Sequence, residues 1–222
     1  MAALIGLVSQ KGGVGKSTLA RLFAREYAAA GWQVKIADLD ISQGTSTDWK
    51  QRRERAGIKP DIAVEPFGTV AQALKVTQLY DLVVFDGPPH SMAGTLEIAT
   101  VSQAVILPTG LSLDDLKPSV LLAHELIKNR VPAERLIFAL CRVGDRENEI
   151  AEARAYIARA GYRVLEGDMP ERTGYRRASD QGRAATETTH PSLRARAERL
   201  AQSVIDFVSG HSDNSEAKME VR

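Results

Sequence analysis

The chain has 222 residues, 44% hydrophobic and 26% charged, with a net charge of +1, which suits one α/β domain with a sizeable core. So even a balance excludes binding of nucleic acid through bulk charge, and any such surface has to be a local patch. A single cysteine, Cys141, excludes an intrachain disulfide framework and a four-cysteine zinc site; within the apolar run LIFALC it reads as a buried structural thiol.

In chain order, the first apolar run is LIGLV at 4–8. With its flanks it is too short to cross a membrane and lacks a preceding basic region, so it is not read as a signal peptide, and the expected compartment is the cytoplasm. It leads into SQKGGVGKST (9–18), after which Leu19, Leu22, Phe23 and Tyr27 fall on one helical face. VKIA (34–37) then ends in Asp38-Leu39-Asp40, and LVVF (82–85) ends in Asp86 followed by Gly-Pro-Pro. AVIL (104–107), LIFAL (136–140) and RVL (163–165) follow, and Leu193, Ala197, Leu200, Val204 and Phe207 mark a last amphipathic helix. Continuous apolar runs suit strands covered on both faces. Their alternation with helices predicts an α/β, doubly wound, mostly parallel sheet flanked by helices. One domain is expected over 1–210, and the polar HSDNSEAKMEVR (211–222) is expected to be a disordered tail.

GGVGKS between a strand and a helix has the context of a phosphate loop. Gly12, Gly13 and Gly15 let the backbone approach phosphate oxygens, and with Val14 and Thr18 they complete a cradle of N–H groups at a helix N-terminus. Lys16 would neutralise the β- and γ-phosphates, and Ser17 offers a hydroxyl to Mg²⁺. Asp86, at the end of an apolar strand, is placed to hold the same ion. Asp38 and Asp40, two apart, share one side of an extended segment. His90, His124, His190 and His211 have no shared spacing, and no Ser-His-Asp set suggests acyl transfer.

The second lysine of the loop, Lys11, is unusual. With it, KGGVGKS resembles the deviant Walker ATPases of the ParA/MinD family, phosphate-loop NTPases of the SIMIBI type. The resemblance implies that Lys11 crosses a dimer interface to the partner's phosphates, that Asp40 orients the attacking water, and that Asp38 supports the Mg²⁺ shell. It makes Lys11, Lys16 and Asp40 catalytic, ATP and Mg²⁺ the cofactors, and hydrolysis slow and partner-stimulated. Where the family has Pro-Gln after the second Asp, this chain has Ile41-Ser42-Gln43. PTGLSLDDL (108–116) resembles the family's switch region, and MPERTGYRRASDQGRAATE (169–187) its segment beside the adenine. That places Met169 and Pro170 at the base, with Arg142 a second candidate.

No helix-turn-helix precedes the loop, and the tail lacks the apolar face of a membrane-targeting helix, so the resemblance narrows to the small ParA class of ParF- and VirC-like partition ATPases. That implies an ATP-dependent homodimer that binds non-specific DNA on the nucleoid, works with a ParB-like or other small DNA-binding adaptor, and does not use the membrane. Its cargo would be a plasmid or chromosome, or else a positioned or conjugation complex. A metabolic enzyme on the same scaffold and a MinD-like membrane regulator are the alternatives. Residues 172–199 hold seven arginines against three acids, a local net of +4, and Arg176, Arg177, Arg194, Arg196 and Arg199 are the expected DNA contacts. KQRRER (50–55) is a second basic cluster, for DNA or a partner protein.

Overall fold

The computed structural model describes residues 2–219, with side chains for 2–210. The expected tail at 211–222 lies outside the residues whose side chains are described. The sheet consists of β1 (Ala3–Leu7), β2 (Val34–Asp38), β3 (Ala63–Pro66), β4 (Leu82–Asp86), β5 (Ala104–Thr109), β6 (Leu136–Val143) and β7 (Arg163–Val164), in the order β3-β2-β4-β1-β5-β6-β7. Every pairing is parallel, and β8 (Met169–Pro170) pairs with β6 off this path. The helices are α1 (Lys16–Ala29), α2 (Thr45–Arg55), α3 (Val70–Leu74), α4 (Met92–Val101), α5 (Leu113–Lys128), α6 (Glu147–Arg159), α7 (Thr173–Asp180) and α8 (Pro191–Met219).

The sheet divides two apolar cores, which is why the strands read as unbroken apolar runs. Ile5, Leu7, Ile36, Val84 and Ile106 pack against Leu19 and Phe23 of α1, Trp49 of α2, and Leu200 and Val204 of α8. Val83, Phe85, Val105, Leu107 and Phe138 meet Ile98 of α4, Leu116 and Leu126 of α5, and Ile157 of α6. The chain order reverses across β1, which lies between β4 and β5, so the loop after β1 opens on the crevice where such sheets bind ligands. Register does the rest: Asp86 lies opposite both Leu7 and Asp38 at the strands' C-terminal ends.

Two expectations about basic residues change here. The KQRRER cluster lies on α2, but Arg53 in its middle is buried rather than surface-facing. Its guanidinium grips both Glu187 oxygens at 2.6 and 3.0 Å, donates to the carbonyls of Pro60 and Gly182, and lies 5.3 Å from the Trp49 ring centroid. Gly182, at φ +75°, passes so close to α2 that a Cβ there would lie 2.3 Å from the Arg53 backbone nitrogen. Arg53→Met should therefore destabilise the fold by about 3 kcal/mol, because buried Glu187 would keep only the Ala184 N–H and the looser Arg25 contact at 3.5 Å, and the Pro60 and Gly182 carbonyls would lose their donor. Urea unfolding would measure the loss; a change below about 1 kcal/mol would mean water replaces the guanidinium there. On α8, Arg196 is drawn to Asp168 at 2.5 Å, so it is spent on an internal pair and not held out as a free cation.

Candidate nucleotide site

The phosphate loop closes on α1 through Gly15, at φ +111°, where a Cβ would also lie 3.2 Å from Cys141 Sγ. No side chain caps α1, and its first turn carries no acid, so its N–H groups stay available to an anion. Val14 is buried beneath the loop, while Gly12 and Gly13 face solvent. Lys16 is itself buried, and its Nζ donates to the Lys11 carbonyl at 3.3 Å. Burial lowers its pKa, and the charges of Asp86 and Asp40 pull it part of the way back.

A cleft of about 220 Å³ is lined by Gly12, Gly13, Gly15, Lys16, Ser17, Thr18, Arg21, Asp40, Gln43, Thr45 and Pro89. Asp86 does not line the cleft but lies fully buried next to its Ser17, and burial pushes its pKa up to about 6 against the hydrogen bond it accepts from Ser46. Ser46 Oγ donates to Asp86 Oδ2 at 2.8 Å, whereas Oδ1 is buried with no hydrogen-bond partner among the described residues. Ser17 stands beside this carboxylate and accepts a hydrogen bond from Thr45 at 3.0 Å. An orphaned carboxylate oxygen next to a hydroxyl is an oxygen-donor set that fits Mg²⁺, which takes few protein ligands and keeps waters and phosphate oxygens. Among the described residues, no group of three His, Cys, Asp or Glu could hold a metal.

The two other carboxylates part company. Asp40 lines the cleft, its Oδ1 accepting from Ser42 at 2.7 Å. Asp38, expected in the metal shell, is fully buried and turned to α2. Its oxygens accept from the Asp40 N–H and from the N–H and hydroxyl of Thr47, each at 3.2 Å. Asp38 thus holds the turn that presents Asp40 and does not line the cleft; burial raises its pKa. Three consecutive residues that sequence reasoning passed over make this arrangement: Thr45 meets Ser17, Ser46 meets Asp86, and Thr47 meets Asp38. Their one sequence signal was the hydroxyl run TST at the start of a helix, two residues after Gln43.

Lys11 points away from its own cleft, its Nζ paired with Asp115 Oδ1 at 2.8 Å and donating to the Asp114 carbonyl. Both residues belong to the first turn of α5, in the expected switch region. Burial alone would raise the Asp115 pKa, but Lys11 and Ser112 bring it below the ordinary value.

Arg142, Met169 and Pro170 converge. With Cys141, Glu171, Tyr175, Arg176, Ser179 and Asp180 they line a second cleft of about 330 Å³ that shares Gly13, Gly15 and Thr18 with the first. Arg142 sits at φ +55° with Nε 3.3 Å from Glu171. Of the expected DNA contacts, Arg177, Arg194 and Arg199 are exposed, although Arg194 donates to the Thr188 carbonyl. Arg176 is exposed near Glu171, and Arg196 is the internally paired residue already described.

A parallel sheet with a glycine-rich loop after its central strand, a buried lysine and a carboxylate one strand over defines a phosphate-loop nucleotide-binding domain. The chain belongs to the CobQ/CobB/MinD/ParA nucleotide-binding domain family, which it matches over residues 5–185. It is similar to the chromosome-partitioning ATPase Soj of Thermus thermophilus, 31% identical over 133 residues, 47% of this chain and 53% of Soj; the chain thus spans about half the length of that curated relative. Among solved structures, it resembles the cell division ATPase MinD of Pyrococcus furiosus with a TM-score of 0.72 at 17% identity, covering 93% of this chain and 100% of MinD. It resembles Cyanothece McdA equally well, with a TM-score of 0.72 at 16% identity over 92% of this chain and 100% of McdA. A putative plasmid partition protein of Borrelia burgdorferi bound to AMPPNP gives 0.70 at 17% over 93% and 99%. At these identities the structural likeness concerns the fold.

Proposed function

We propose that the protein is a Mg²⁺-dependent ATPase of the partition type. Two ATP-loaded copies pair, the pair binds DNA without sequence preference, and an adaptor of the ParB kind, itself a small DNA-binding protein, triggers hydrolysis and so drives segregation of a plasmid or chromosome. The observation that carries this reading is the cleft at a helix N-terminus that a buried Lys16, Ser17 and Asp40 line together, with the unpartnered Asp86 oxygen buried beside Ser17. Similarity to Soj supports partition over the other uses of this family.

In this reading the loop N–H groups and Lys16 bind the β- and γ-phosphates, and Ser17 and Asp86 hold Mg²⁺, which would neutralise charge on the phosphate oxygens. Asp40 accepts a hydrogen bond from the water that attacks the γ-phosphate. The second cleft receives the base against Met169, Pro170 and Arg142. Arg177 and Arg199, with Arg176 and Arg194, are the cations offered to DNA phosphates, and pairing doubles their number.

Asp40→Ala should keep ATP binding and lose hydrolysis, because Asp40 touches water and not the nucleotide. Phosphate release, alongside ATP-dependent retention on non-specific DNA, tests both halves. A variant hydrolysing at the parent rate would remove Asp40 from the chemistry; retention on anionic vesicles and not on DNA would favour a membrane-cycling regulator.

A further inference from the structure

α1 carries an arginine that none of this chemistry uses. Arg21, one and a half turns after Lys16, is 7% exposed and lines the phosphate cleft beside Lys16, Ser17 and Asp40. Its Nε donates to Ser46 Oγ at 3.4 Å, its Nη1 donates to Ser179 Oγ at 3.1 Å, and its guanidinium carbon lies 5.7 Å from the Trp49 ring centroid. Three elements therefore meet on one side chain: α1, the first turn of α2, and α7, whose Ser179 borders the second cleft. Burial lowers its pKa to about 10, which still leaves it cationic at neutral pH.

The polarity of these bonds fixes a direction. A guanidinium N–H can only donate, so Arg21 occupies a lone pair of the Ser46 hydroxyl. Ser46 then has one hydrogen to give, and gives it to Asp86 Oδ2. With Oδ2 held, Oδ1 is the oxygen left without a hydrogen-bond partner among the described residues. Ser179 and Trp49 meet the guanidinium at its other end.

We infer that Arg21 is a positioning residue for the metal carboxylate: through Ser46 it turns Asp86 toward Mg²⁺, and through Ser179 it ties that orientation to the helix that borders the second cleft. The inference rests on the proposed nucleotide site, and the two fail differently. Titration calorimetry with a slowly hydrolysed ATP analogue, in Mg²⁺ and in EDTA, separates them. A parent protein that does not bind the analogue in Mg²⁺ overturns both.

If the parent binds, Arg21→Met, which keeps the stem against Trp49, should cut the gain in affinity that Mg²⁺ gives by about tenfold, the usual cost of losing an outer partner of a metal ligand. Affinity in EDTA should stay near the parent value. Arg21→Lys should not rescue the Mg²⁺ gain, because one ammonium cannot span Ser46 and Ser179; full rescue would mean that charge alone matters and would overturn the positioning role. Ser46→Ala should lose the same gain, and Arg21→Met combined with Ser46→Ala should lose no more than either alone. Additive losses would show that Arg21 does not act through Ser46. Ser179→Ala, which leaves Ser46 and Asp86 untouched, should produce a smaller loss of the same kind, and no loss there would sever the proposed tie to α7. Equal losses in Mg²⁺ and EDTA would place Arg21 on the phosphates directly and overturn the inference.

Discussion

Asp86→Asn is expected to abolish Mg²⁺-dependent nucleotide binding and, at the same time, to make the nucleotide-free protein more stable. The two effects share one cause. Burial raises the Asp86 pKa from 3.8 to about 6, so the fold disfavours the charged form. The sign follows from linkage: the carboxylate carries no penalty below the unfolded pKa, the penalty grows as pH rises through 4 to 6, and it is complete above the folded value. A shift of this size corresponds to up to about 3 kcal/mol at pH 7.5, an upper figure because the Asn nitrogen would take the place of Oδ1 with no acceptor. Ser46 could still donate to the amide oxygen. Melting curves without nucleotide should place the variant several degrees above the parent at pH 7.5, with the gap closing toward pH 4. Adding Mg²⁺ on top of ATP should raise the parent's Tm further and leave the variant's where ATP in EDTA puts it, since ligand stabilisation follows affinity. A variant less stable than the parent at pH 7.5 would mean that Lys16 and Arg21 more than compensate the buried charge, and a variant whose affinity still rises with Mg²⁺ as the parent's does would put the metal elsewhere.

A carboxylate held at such a cost sits at a place that the sequence made visible. β4 is an apolar run that stops at Asp86, and β1 an apolar run that stops at the glycine loop; strands covered on both faces announce themselves, and so does the chemistry at their ends. β3 escaped because it is an edge strand with half its residues exposed, and AVEP has no buried pattern to detect. β8, two residues long, depends on pairing with β6 and has no periodicity of its own. The residues expected at the base were reached through family resemblance, and Arg142, Met169 and Pro170 share one cleft although 28 positions separate the first from the last. What local patterns misjudge is the partner of a charge. Arg53 looks like one cation among several in KQRRER, yet Glu187, 134 positions away, draws it into the core. Arg196 looks like a helix-surface cation until Asp168 meets it, and Arg21 looks like punctuation in an amphipathic helix until Ser46 and Ser179 close around it. Each pairing is set by tertiary packing, so the basic face proposed for DNA is narrower than the run of arginines suggests, with Arg177 and Arg199 its freest members.

Lys11 poses the same question with a different outcome. In the single subunit its ammonium is parked on Asp115, outside the cleft that its own loop builds, while its carbonyl helps to hold Lys16. Lys11→Ala should therefore leave ATP affinity of the lone subunit within about threefold, less than 1 kcal/mol. If the side chain serves the partner's phosphates, as the proposed ATP-switched pair requires, the same variant should fail to pair at all with a slowly hydrolysed ATP analogue. Retention on DNA should fall with it, because the doubled basic face does not form. The Asp115 latch is weak, since both side chains are partly exposed (41% and 31%) and such a pair contributes up to about 1 kcal/mol. Asp115→Asn should accordingly shift pairing to lower concentrations by no more than about fivefold. Light scattering against protein concentration, with and without the analogue, reads both variants. A Lys11→Ala protein that pairs like the parent would show that this lysine does nothing beyond its contact with α5, and one that loses ATP affinity as a monomer would show that it leaves Asp115 to serve its own phosphates.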